Sequence, residues 1–246
     1  MTLKEWELNE PTRLMILLAG MILNTFILHS AYLHLTASYT ILHSQSLTSF
    51  PSILGAHIIR VISGLLSNGS FWIISGLFIS LLGSVIFRMD RDVGYANSIY
   101  SLPYKKWEIF GIKYLVLLLY SLTLTFIPFF SVSIIASLSL IEYIPDILFS
   151  KMVVYRILLS LYMILYLTSL VSLVSLISPN ILITIIISLS LFFLPFFISI
   201  SEVPPLLFII GNFKEALNFK MITWGVIVPL ALIILSMGIS EWKDVR

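Results

Sequence analysis

Few side chains in this chain could do chemistry. It has four histidines, His29, His34, His43 and His57, and no cysteine. The pairs His29/His43 and His43/His57 are each 14 residues apart. On a helix that spacing sets two imidazoles on one face about four turns apart, as axial haem ligands in a redox membrane subunit can be. Against this, Pro51 interrupts the second pair and His43 falls in a polar stretch. The lack of cysteine excludes disulfides and thiolate metal sites. No paired carboxylates, H-E-x-x-H or G-x-S-x-G occur, which disfavours an intramembrane enzyme. No G-x-x-x-x-G-K-[ST] occurs either, so a nucleotide site is not expected on this chain, nor any cofactor of its own.

Within the long apolar runs there is no Asp, Glu, Lys or Arg. A charge at the bilayer centre costs at least about 2.5–3.5 kcal/mol, and such charges mark proton and ion paths. Their absence argues against a proton-coupled pump and suggests an apolar or amphiphilic cargo. The polar residues left in the first run are Asn24 and His29, which could line a path or bond a neighbouring helix. Bonding is the favoured expectation, because a polar group in hydrocarbon gains by finding a partner across helices. Serines such as those of "SLVSLVSLIS", residues 169–178, bond their own helix backbone or allow close packing. Pro128, Pro195 and Pro229 are expected to kink their helices.

The elements that must hold these residues follow from composition. Of 246 residues 59% are hydrophobic and 11% charged, about half the charged fraction of a soluble domain. The net charge of +2 is too small to suggest nucleic acid. The first apolar run, 14–35, is longer than the roughly 7–15 residues of a signal peptide's apolar core, so it is expected to be a retained span. A membrane helix needs about 20 mostly apolar residues. Uncharged runs at 14–35, 61–87, 114–141 and 221–240 supply four spans, with a turn at Ser67, Asn68, Gly69 and Ser70 leaving 71–87 and its flank as the second. The uncharged run 157–201 is 45 residues long and supplies two more, separated by Ser178, Pro179 and Asn180. The expected fold is an all-α integral membrane protein with six transmembrane helices in one domain, 1–246. A β-barrel would need alternating apolar and polar residues, which these runs lack.

With six spans both termini share one side with the polar stretch 88–113. That side carries nine Lys and Arg residues and the other five, so the positive-inside rule puts termini and hairpin in the cytoplasm of a multi-pass plasma-membrane protein. Residues 1–13 are expected to form an amphipathic interfacial helix. Thr2 and Glu5 make its capping box, Leu3 and Trp6 share a face, Pro11 ends it, and Thr12 caps the first span. Outside, the stretch from Thr36 to Ser70, rich in Ser and Thr and uncharged except for Arg60, is expected to form interfacial helices. In 202–220, "LLFIIGNF" is too short to span, so it dips into the outer leaflet, packs across the mouth of a dimer or folds on the protein's own helix ends.

The stretch 88–113 is the longest charged one. Asp90 or Asp92 can cap a short helix that Pro103 stops. Val93, Ala96 and Tyr100 fall on one face of it, with Ile99 beside them, and Gly94 lets another backbone approach. A second helix then enters the third span, with Trp107, Phe110 and Tyr114 as an interfacial stripe and Lys105, Lys106 and Lys113 reaching lipid phosphates. The apolar knob so formed either packs on the protein's own helix ends or meets a partner.

The order Asp90, Gly94, Pro103, Lys106, Glu108, Gly111, Lys113 resembles that of the membrane subunit of type-2 ABC transporters, the ABC-2 permease family. Tyr95 and Ile112 depart from that pattern. The resemblance implies six spans, a cytoplasmic amphipathic helix before the first, a coupling helix between the second and third, and a short charged tail like "EWKDV". It implies an ATP-driven exporter in which this chain forms half of the path. A separate ABC ATPase subunit would carry ATP and Mg, and a second permease copy or paralogue would complete the path. Asp90, Val93, Gly94, Ala96, Ile99, Tyr100 and Pro103 would form the ATPase-coupling element. The alternative is a non-transport subunit of a larger complex, structural or haem-binding.

Overall fold

A computed structural model of the chain describes residues 10–43, 50–92, 105–138, 144–211 and 216–242. Among these every regular element is helical. The elements are α1 (Pro11–His43), α2 (Phe50–Leu65), α3 (Gly69–Asp92), α4 (Lys106–Ser137), α5 (Ile144–Leu148), α6 (Lys151–Ile177), α7 (Ile181–Ile198), α8 (Leu206–Ile210), α9 (Phe219–Ile222) and α10 (Val228–Trp242). Six helical segments are long and apolar enough to cross a membrane, so the chain reads as a multi-pass membrane protein. The expected interfacial helix falls mostly on 1–9, and the tail on 243–246, outside the described residues; so do Val93, Gly94, Ala96, Ile99, Tyr100 and Pro103.

Local chemistry sets the boundaries. The first span starts at Pro11, not after it. Proline at the first helical position loses nothing by lacking an N–H, and the Glu10 carboxylate accepts from the Arg13 amide at 3.1 Å. Glu10, rather than Thr12, is therefore the cap. The same helix runs on to His43, 33 residues in all, where separate interfacial helices were expected beyond 35. Nothing breaks it there: the Thr36 hydroxyl bonds back to the carbonyls of Tyr32 and Leu33. At the next turn Asn68 caps α3, its Oδ1 accepting from Ser70 N and Phe71 N at 2.9 and 3.2 Å. Asn180 caps α7 through Ile183 N at 2.9 Å, in the turn expected between the fourth and fifth spans. That helix ends with Ser199 in the left-handed region (φ 58°), while Ile200 N reaches back to Pro195 O.

The interior is built around α3 and α6. The helix pairs α1·α3, α1·α4, α3·α6, α3·α7 and α6·α10 all pack directly. Gly20 sits against Leu124 and Phe78, and Gly83 against Val171, so a side chain at either position would collide with the neighbouring helix. Gly225 lies in a wider π turn, Thr223–Ile227, which precedes Pro229; the Tyr162 ring occupies the space its Cβ would need. Pro128 lies inside α4 without ending it.

Successive spans alternate in direction, so the 93–104 connection, the 178–180 turn and the C-terminal end of α10 share one end of the bundle, here the hairpin end. At the opposite end α8 folds on α6: Leu207, Phe208 and Ile209 are buried, Phe208 meets Tyr162 with ring centroids 6.0 Å apart, and Arg156 donates to Ile209 O at 3.2 Å. This is packing on the protein's own helix ends, one of the arrangements expected for 202–220.

Candidate functional site at the base of the hairpin

The short helix expected from Asp90 or Asp92 lies mostly in 93–104, outside the described residues, and α3 itself runs on through Asp90 to Asp92. The reason is local charge balance. Arg88 and Asp92 are one turn apart, and the guanidinium donates to the Asp92 carboxylate at 3.2 Å, so the helix can carry its charges past the apolar run. Arg88 is only 6% exposed, and it also donates to Pro179 O in the turn between α6 and α7. The second carboxylate oxygen of Asp92 accepts from Ile181 N at 3.1 Å. Asp92 thus caps a helix, but it is α7, from a neighbouring element. Two free groups of that turn, a carbonyl and an amide, are satisfied by the last turn of α3.

The other foot of the hairpin is fixed as firmly. Glu108 accepts from Lys105 N at 2.9 Å and caps α4. Lys113 is buried, and its ammonium donates to Ile86 O of α3 at 2.9 Å. That overturns the expectation that it reaches lipid: it lies on the face of α4 turned toward α3, where a carbonyl is nearer than a headgroup. Phe110 is likewise buried, its ring 5.5 Å from that of Phe87, and Tyr114 approaches Thr168 of α6 at 3.4 Å. Of the expected aromatic stripe, Trp107 remains exposed. Lys106 donates to Glu241 O near the end of α10 at 3.5 Å. Residues 93–104 therefore leave and enter a base tied to α7 on one side and α10 on the other.

The polar residues of the first span lie elsewhere. Asn24 is fully buried and donates to Ser75 Oγ at 3.1 Å and to Leu124 O at 3.2 Å, joining α1, α3 and α4. His29 is exposed, with its ring 6.3 Å from Tyr32. Among the described residues no group of three or more His, Asp or Glu side chains could hold a metal ion.

The sequence reading did not foresee the link from Arg88 and Asp92 to the 179–181 turn. The signal available was an i,i+4 Arg–Asp pair directly after an apolar run, which also fits a solvated surface pair. Comparison with family models, curated proteins and solved structures finds no match to this chain.

Proposed function

We propose that the chain is the transmembrane subunit of an ATP-driven exporter of the ABC-2 permease type, in the plasma membrane, with both termini and the 88–113 hairpin in the cytoplasm. Six apolar spans, the absence of a nucleotide-binding motif, the excess of Lys and Arg on the hairpin side and the residue order 90–113 all support this reading. The observation that carries it is the base of the hairpin. A polar connection meant only to join two spans does not need its feet fastened to other spans, whereas one that receives force does. Here Arg88, Asp92, Lys106 and Lys113 fasten it.

On this reading a separate ATPase subunit, holding ATP and Mg, grips Val93, Gly94, Ala96, Ile99 and Tyr100 in a cleft. Closure of two ATPases then rocks two permease halves between inward- and outward-facing states. The second half is another copy of this chain or a related permease. Affinity purification in mild detergent followed by mass spectrometry should recover an ATP-binding subunit with P-loop motifs. The double variant Val93→Asp, Tyr100→Asp should lose that subunit at unchanged yield of the membrane chain. Its retention at wild-type stoichiometry would count against the proposal.

A further inference from the structure

Two fixed points define how α3 and α7 lie against each other. At one, Gly76 leaves room for the Phe192 ring. At the other, Arg88 and Asp92 hold the turn at Pro179 and Ile181. Arg88 lies 12 residues after Gly76, and Pro179 lies 13 residues before Phe192. Between these two points lie Ser80 and Ser84 of α3 and Thr184 and Ser188 of α7. All four are buried.

Nothing polar grips along this seam. Ser84 Oγ donates to Leu81 O and Thr184 Oγ1 to Asn180 O, each within its own helix. The hydroxyls of Ser80 and Ser188 have no hydrogen-bond partner. Among the described side chains no hydrogen bond joins α3 to α7 along this seam until the hairpin end is reached. There, one buried guanidinium and one carboxylate supply the polar attachment. Their two partners in the turn are the Pro179 carbonyl and the Ile181 amide.

We infer that Arg88 and Asp92 are positioning residues that fasten the fifth span to the base of the hairpin, so that a change in the hairpin's position is passed to α7 through this polar attachment. Asp92 is the last residue of α3 before the hairpin, so any displacement of 93–104 reaches this attachment first. The inference rests on the reading above only for the source of the push. The attachment itself belongs to this chain and is reciprocal: whatever shifts α7 must bias the hairpin equally.

The chain has no cysteine, so labels can be placed freely. Spin labels at Lys105→Cys and Leu182→Cys report the distance from the hairpin foot to the first turn of α7. A control pair at Lys105→Cys and Trp242→Cys reports the foot against α10. In the full chain in lipid nanodiscs, Asp92→Ala and Arg88→Gln should each broaden and shift the first distance and leave the control unchanged. Asp92→Asn keeps an acceptor for Ile181 N but loses the charge, and should broaden it less. It also serves where the alanine variant fails to fold. An unchanged 105–182 distribution in the Asp92 and Arg88 variants overturns the inference, as does equal broadening of both pairs, which means general loosening. Neither result touches the docking of an ATPase, which the purification above tests separately.

Discussion

The side-chain amide of Asn24 donates to the carbonyl of Leu124, 3.2 Å away, and Leu124 lies four residues before Pro128. In an uninterrupted helix the amide of residue 128 would bond that carbonyl; proline has no amide hydrogen. Asn24, from another helix, supplies the missing donor. In lipid, where no water can do so, this explains how α4 passes through Pro128 without ending.

The Asn24→Leu variant should lower stability by about 1–3 kcal/mol, because it leaves the Leu124 carbonyl and Ser75 Oγ without their donor. Pro128→Ala restores an in-helix donor for Leu124. In the Asn24→Leu background it should therefore recover part of the loss. Reversible unfolding in mixed micelles measures the cycle, and strictly additive costs would refute the pairing.

Arg88 and Asp92 should not be interchangeable. Arg88→Asp with Asp92→Arg keeps an opposite-charge pair but removes the donor for Pro179 O and the acceptor for Ile181 N. The swapped chain should melt lower than the wild type, close to the single variants. A swap that restores the wild-type melting temperature would reduce the pair to a simple ion pair.

Gly225→Ala should destabilise by about 1–3 kcal/mol, since the added methyl meets the Tyr162 ring. Combined with Tyr162→Ala, which removes the ring and its Cγ, the same substitution should cost less than it does alone. The measurement is the thermal midpoint of the four chains, and equal costs in both backgrounds would mean the helices separate freely there.

How much of this was visible in the sequence can be judged residue by residue. The spans were legible because charge interrupts the apolar runs cleanly, and the 178–180 turn because proline and asparagine mark it. The length of α1 was not. Thr36 and its neighbours read as the start of separate interfacial helices, yet hydroxyls that bond back to carbonyls a turn earlier keep the first helix going. Lys113 and Phe110 were placed at the lipid surface because helical periodicity gives faces but not which neighbour each face meets. The roles of Asn24 and Asp92 depend on contacts 100 and 89 residues away, which no local pattern contains.

Sidedness can be checked directly. With single cysteines in the cysteine-free chain, Lys105→Cys should resist a membrane-impermeant maleimide in intact cells and react after lysis. Phe149→Cys, in an exposed position between α5 and α6, should react from outside. The reverse pattern would invert the orientation.

At about 1.5 Å per residue the 33 residues of α1 reach about 50 Å, more than the roughly 40–45 Å of a bilayer with its headgroups. A rod of that length must either lean or emerge into water. If it emerges, the end of the bundle opposite the 93–104 connection carries a post of helix standing clear of the headgroups, a handle that an antibody too large to enter lipid could seize.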